Sequence, residues 1–214
     1  MKRREQILLV SLALFNDEGE ANLSAVDIAN ELDISPGNLY YHFKGKDELV
    51  TELYGRFEEG IELLLRDGIE ARASLEEYWL HLYVIFEHIY HYRFFFRNIT
   101  DLLQKYQGVE PRFRRLMEQQ TRWVKQLLTG LLQEGVITDP HMVKERIEQL
   151  ADSIMLLFTH WFQFQNLRNR KLDQHDFIQS AILQIMTLLA PYMGDLQLRF
   201  MEACSDLYHR EKRG

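Results

Sequence analysis

The chain has 214 residues, 46% hydrophobic and 27% charged, with a formal net charge of −7. That balance predicts one or two soluble folded domains with a sizeable core and excludes a disordered chain. It also argues against bulk polyanion binding while allowing a local contact patch, and the single Cys204 excludes an internal disulfide and predicts a reducing, cytoplasmic setting.

The opening "MKRREQILLVSLALF" joins a basic start to an apolar run from Ile7 to Phe15. It reads as an amphipathic first helix or as a secretory signal. Glu5 in the basic region and the acid-flanked segment Gly19 to Ala21 favour the helix. After "NDEGEAN", Ser24 is an N-cap with Asp27 in the capping-box position, and a short second helix runs to Leu32. Asp33-Ile34 is a tight turn. Ser35 is a second N-cap and Pro36 stands at the first helical position, so the third helix covers about 36–42. Gly45 interrupts. Lys46-Asp47-Glu48 opens a fourth helix, to about Arg66, with acids suited to the dipole. Helices over 75–92, 94–106 and, after "GVEP", 112–133 follow. "EGVITDP" is a boundary with Asp139-Pro140 as a helix start, before helices over about 141–169, 173–189 (disrupted by Pro191) and 194–209. With no strand pair, repeat or linker, the fold class is all-α. After the first segment, none is long and apolar enough to span a membrane.

Three helices with a tight turn between the second and third form a helix-turn-helix pattern. Such a motif sets the start of its second element against base edges in the major groove. Ser35, Pro36, Gly37 and Asn38 occupy that end; Gly37 permits close approach, and the Asn38 amide can read adenine. Leu39 and Phe43, four apart, face inward. Tyr40, Tyr41, His42, Lys44 and Lys46 can supply donors to phosphates, Lys46 at a helix start that favours an anion. Residues 1–50 carry five Lys and Arg against nine Asp and Glu, which predicts site-specific binding with a moderate salt dependence.

"LDISPGNLYYHFKGKDELV" closely resembles the DNA-binding signature of TetR-type bacterial regulators, over about Glu5 to Val50. The resemblance implies a helix-turn-helix domain over 1–48 and a helical effector-binding and dimerisation domain over 49–214. It implies no enzymatic activity, cofactor or metal. Asn38 and Pro36 would meet bases; Tyr40, Tyr41, His42 and Lys46 would meet the backbone. One departure is Asp33, where the family usually has glycine. Asp tolerates left-handed backbone geometry, so no loss of fold is expected.

The rest of the chain is rich in aromatics, which read either as plain core or as the walls of a cavity for a mostly apolar effector. The candidate walls are Trp79, Tyr83, Phe86, Tyr90, Trp123, Phe158, Trp161 and Phe162. Arg93, Arg97 or Arg122 could meet an anionic end of the ligand. "FNDEGEANLS", "SPGNLYYHF" and "EYWLHLYVIFEHIYHYRFFFRN" together are similar to TetR-type regulators of polyhydroxyalkanoate gene clusters. That would imply an effector from fatty-acid metabolism, such as an acyl-CoA. Two apolar stripes, with Ile147, Ala151 and Ile154 on one and Phe177, Ala181, Ile185 and Leu188 on the other, suit either internal packing or a homodimer interface. A homodimer would present two reading heads to a palindromic operator on double-stranded DNA. Ligand would then shift DNA affinity through the fourth helix, most simply relieving repression. His81, His88 and His91 raise a metal-binding alternative without the His-Glu-x-x-His spacing. A helical enzyme lacks any complete catalytic constellation, and a protein-binding adaptor would not need the Tyr40 to Lys46 donors.

Overall fold

The computed structural model describes residues 2–70, 73–139, 144–168, 172–194 and 197–210. Over these the fold is all-α. The helices are α1 (Arg3–Glu18), α2 (Ala25–Glu31), α3 (Pro36–His42), α4 (Lys46–Asp67), α5 (Leu75–His91) and α6 (Phe94–Arg97). Then come α7 (Ile99–Lys105), α8 (Glu110–Gln133), α9 (Lys144–Leu167), α10 (Gln174–Leu189) and α11 (Gln197–Arg210). Short 3₁₀ turns cover Glu20–Asn22 and Ala190–Tyr192. Among the described residues no helix is long and apolar enough to cross a membrane.

Local chemistry accounts for the first three helices. Ser24 and Asp27 form a full capping box: the Asp27 N–H donates to Ser24 Oγ, and the Ser24 N–H donates to Asp27 Oδ2 at 2.7 Å. The turn after α2 closes as a Schellman motif. The Ile34 N–H donates to the Ala29 carbonyl and the Asp33 N–H to the Asn30 carbonyl. Asp33 has φ +52° in the place where glycine is usual, so the expected left-handed turn is present. Ser35 then caps α3 by accepting from the Asn38 N–H, with Pro36 at the first position. Leu39 and Phe43 face inward, closing a small core with Ile7, Leu8, Phe15 and Ile28.

Two expected boundaries move. The segment 94–106 is two helices, because Asn98 leaves helical geometry (φ −149°, ψ 69°) and its amide bonds to Asp101. Pro111 lies inside the first turn of α8, where a missing N–H leaves no partner unmet. The expected helix start at Asp139-Pro140, and the ends of the 141–169 segment, involve residues outside those described. Pro191 falls in the second 3₁₀ turn, after α10 has ended.

In the larger bundle α5 packs on α10 and α8 on α9, while α4 runs between α5, α8 and the N-terminal helices. The approach of α4 to α5 is close at Gly60. A Cβ there would stand 2.3 Å from His88 Cε1, and His88 stacks on Phe57 with centroids 5.3 Å apart. The stripes expected at a dimer interface are used internally. Ile147, Ala151, Ile154, Phe177, Ala181 and Ile185 are buried within the protomer, and only Leu188 is partly exposed. A side chain spent on the protomer's own core offers no surface to a second copy. The exposed apolar residues of α9 are instead Leu156, Phe164 and Leu167, at 61%, 45% and 80% exposure.

Candidate nucleic-acid interface and effector cavity

The start of α3 presents Ser35, Pro36, Gly37 and Asn38 to solvent as one surface, continued by Tyr40, Tyr41 and Lys44. Tyr41 is 85% exposed, far more than a packing role for a tyrosine requires. His42 is half-buried, its ring edge-on to Tyr41 at 5.1 Å. No side chain caps the N-terminus of α4, so its first N–H groups lie beside this surface without a side-chain acceptor.

Lys46 does not belong to that surface. Its ammonium turns inward and donates to the Glu20 carbonyl (2.9 Å), the Leu23 carbonyl (2.6 Å) and the Glu20 carboxylate (2.8 Å). The cause is Glu20, a carboxylate only 8% exposed, which needs cations and donors about it. Lys105 and the Tyr106 hydroxyl supply the rest. Burial alone would raise the Glu20 carboxyl, but hydrogen bonds from Lys105, Lys46 and Tyr106 outweigh it and hold it below its ordinary value. The cluster joins the N-terminal helices to α7.

Asn16 is a second junction, unforeseen from the sequence. Buried at the end of α1, it donates to the His91 carbonyl (2.8 Å) and accepts from the Phe94 N–H (3.0 Å). Arg93 and Arg97 are held at the same place. Arg93 pairs with Asp17 at 3.0 Å, and Arg97 donates to the Asn16 carbonyl at 2.7 Å. Both arginines therefore brace the junction between α1 and α6, rather than facing a ligand cavity. Along α4, Arg56 makes a two-pronged contact to Glu5 (2.7 and 2.6 Å), Arg4 pairs with Glu52, and Arg112 of α8 reaches Glu58 at 2.5 Å.

The apolar cavity lies between α5, α8, α9 and α10, with Ile69 and Ala73 of the segment after α4 on its wall, and holds about 160 Å³. Of the aromatic residues expected to line it, Trp123 and Phe158 do. Trp79 is core, its indole N–H donating to Gln179 Oε1 at 3.1 Å. Phe86 packs edge-on to Phe158, Phe162 and Tyr90 pack on Phe177, and Trp161 packs on Phe164. Tyr83 packs at the core's margin. The walls are mostly aliphatic: Leu82, Leu127, Leu131 and Met186 among them, with Ile154 and Ile185, both expected from the sequence at a dimer interface. The sequence signal for this wall is the Val124, Leu127, Leu128, Leu131 spacing on α8, less conspicuous than the aromatics. Polar groups are few. Tyr78 sends its hydroxyl to the Glu70 carbonyl at 2.8 Å, and burial pushes its pKa up to about 12. His81 stacks on Trp123. Arg122 stands outside, in a polar cleft behind Trp123.

The three histidines of α5 do not converge: His81 stacks on Trp123, His88 on Phe57, and His91 stands edge-on to Tyr92. Among the described residues no group of three His, Cys, Asp or Glu side chains could hold a metal ion.

Residues 7–53 match the family profile described as "Bacterial regulatory proteins, tetR family", and residues 56–199 match that of the TetR "Bacterial transcriptional repressor". Among solved structures, the chain is similar to a TetR-family transcriptional regulator from Marinobacter aquaeolei VT8, with a TM-score of 0.84 and 30% identity over 98% of both chains. It is also similar in fold to the ketosteroid transcriptional regulator KstR2 of Mycobacterium tuberculosis, with a TM-score of 0.68 and 19% identity over 91% of this chain and 96% of that one. The HTH-type transcriptional repressor KstR2 of Mycolicibacterium smegmatis is 30% identical over 149 residues, covering 63% of this chain and 65% of that protein's length, just under two thirds.

Proposed function

The chain belongs to the TetR family of bacterial transcriptional regulators, and on that premise we propose that it binds a palindromic operator as a homodimer in the cytoplasm and releases it when an acyl-type effector enters the cavity. As a family member it is a ligand-responsive DNA-binding regulator and not an enzyme. In this reading residues 1–48 are the reader and 49–214 the effector and dimer domain. Ser35, Pro36, Gly37 and Asn38 enter the major groove. Tyr40, Tyr41, His42, Lys44 and the first N–H groups of α4 meet phosphates. The second copy docks on the α9 ridge of Leu156, Phe164 and Leu167.

The observation that carries the reading is the course of α4. Its first residue, Lys46, is bonded to the reader through Glu20 and Leu23, and the loop beyond its last turn gives Ile69 to the cavity wall. At 22 residues it spans about 33 Å. A ligand that sits better with α4 shifted lowers DNA affinity by the factor by which DNA lowers ligand affinity.

Cavity size supports a small apolar group. A void of about this volume lined by aliphatic side chains holds one benzene-sized molecule. That suits a short acyl chain and is too small for the fused rings of a ketosteroid, the compound class that appears in the name of one structural neighbour. The segments resembling regulators of polyhydroxyalkanoate clusters point the same way, to fatty-acid metabolism.

Selection of bound fragments from genomic DNA, followed by footprinting, tests the reading. The expected result is a palindrome with half-sites related by the helical repeat. Asn38→Ala relaxes choice at one base position, by about 1–3 kcal/mol. Protection without two-fold symmetry overturns the dimeric operator, and equal loss on specific and random DNA overturns the role of Asn38.

A further inference from the structure

The connection from α3 to α4 is Phe43, Lys44 and Gly45, and both of its ends are fixed. The Phe43 N–H donates to the Leu39 carbonyl at 2.9 Å. Its ring is buried, with the Arg4 guanidinium 4.4 Å from its centroid. At the other end Leu49 is fully buried in the first turns of α4. The freedom that remains lies in the Lys44 and Gly45 dihedrals, and these aim the exposed Lys44 side chain. Gly45 has φ +154° and ψ −172°, a region essentially confined to glycine. Packing does not impose this shape, because a Cβ at Gly45 would meet nothing within 4 Å among the described residues. The restraint is Glu48. Its carboxylate reaches back across Gly45 and accepts from the Lys44 N–H at 2.7 Å. In a capping box the third helical residue bonds the N-cap N–H; here it bonds the residue before the N-cap.

We infer that Glu48 is a positioning residue for DNA binding: it holds the connection in the shape that aims Lys44 at a phosphate beside the outward face of α3. The inference rests on the reading of Lys44 as a phosphate contact. Glu48 is not itself a contact. Its charge repels phosphates, so its contribution comes from the hydrogen bond it accepts. Arg4 moderates that charge: Glu52 foremost, and Glu48 with it, hold the Arg4 guanidinium above its ordinary pKa. Without the Glu48 acceptor the Lys44 N–H turns to water and Gly45 regains its conformational freedom. Lys44 then points away from the phosphate for most of the time, and one contact is lost.

The test is fluorescence anisotropy of the full-length protein on an operator fragment at several KCl concentrations. Circular dichroism checks that each variant is folded. Lys44→Ala is expected to lower the slope of log K against log salt by about one. Glu48→Ala is expected to lower it by about the same amount, and to add nothing in the Lys44→Ala background. Glu48→Gln removes the same charge but keeps an acceptor oxygen, and is expected to keep the wild-type slope. Gly45→Ala, whose methyl has room but whose backbone does not suit it, is expected to behave as Glu48→Ala does. A wild-type slope in Glu48→Ala, an equal loss in Glu48→Gln, or additive losses in the double variant overturns the proposal. In each of those cases a lowered slope in Lys44→Ala leaves the phosphate contact standing. An unchanged slope in Lys44→Ala overturns that contact, and the inference with it. Should Glu48→Ala not fold, a wild-type slope in Gly45→Ala overturns the inference instead.

Discussion

Lys46→Ala separates two accounts of one residue. If Lys46 were a phosphate contact, its removal would leave folding untouched and lower the slope of log K against log salt by about one. The structure assigns it another task. Its ammonium makes three charge-assisted contacts, to two carbonyls and to Glu20, at 16% side-chain exposure for Lys46 and 8% for Glu20. Hydrogen bonds to charged groups contribute about 1.5–3 kcal/mol each, and breaking one side of a buried pair costs about 3–5 kcal/mol. Lys105 and Tyr106 remain on Glu20, so the expected loss is about 3–4 kcal/mol, a large share of the roughly 5–15 kcal/mol that holds a domain together. Urea unfolding at fixed protein concentration, followed by circular dichroism, reads this directly. The exposed Lys44 is the control: Lys44→Ala should change the salt slope and leave the urea midpoint in place. An unchanged midpoint for Lys46→Ala, with the slope lowered by one, would falsify the assignment of Lys46 to the junction.

Asn16→Ala should cost about 2–3 kcal/mol in the same unfolding experiment, because the His91 carbonyl and the Phe94 N–H each lose their partner; a loss under 0.5 kcal/mol contradicts the junction described. Gly60→Ala should destabilise by about 1–3 kcal/mol, since the new methyl meets the stacked His88 ring, and hydrogen exchange should quicken in α4 and α5; unaltered exchange there means the approach is looser than described. The Glu20 carboxyl is held below its ordinary value of 4.5, so the stability it contributes is fully present above that value and is lost as pH falls through its folded-state pKa. Stability measured from about pH 3 to 7 should therefore show wild type and Glu20→Gln furthest apart above about pH 5 and converging in acid; a constant difference rules out this linkage.

The reader was nearly all legible in the sequence because short-range chemistry builds it. Ser24 with Asp27, Asp33 in the turn, and Ser35 with Pro36 each act within five residues of themselves, and each does in the structure what its residue type suggests. The cavity was poorly legible for the opposite reason. Its walls come from four helices and the segments between them, and no periodicity along one helix tells which neighbour its apolar face meets. Trp79 and Phe86 sit on the same stretch of α5 as His81 and Leu82, yet the first two are core and the second two are wall. Arg93 and Arg97 read equally well as ligand partners until Asp17 and the Asn16 carbonyl, some eighty residues earlier, are seen beside them.

By itself, then, the sequence determined the helical class, the helix-turn-helix with its caps and turn, and the face of α3 that looks outward. Only the tertiary structure decided which cations are spent inside the molecule. Lys46 lies in a stretch that matches a DNA-binding signature, but the buried carboxylate of Glu20, 26 residues before it, claims its charge. A buried anion outbids solvent for the nearest ammonium because the low dielectric around it strengthens the pair and makes its absence costly. That preference depends on burial, and burial is a property of the folded chain alone.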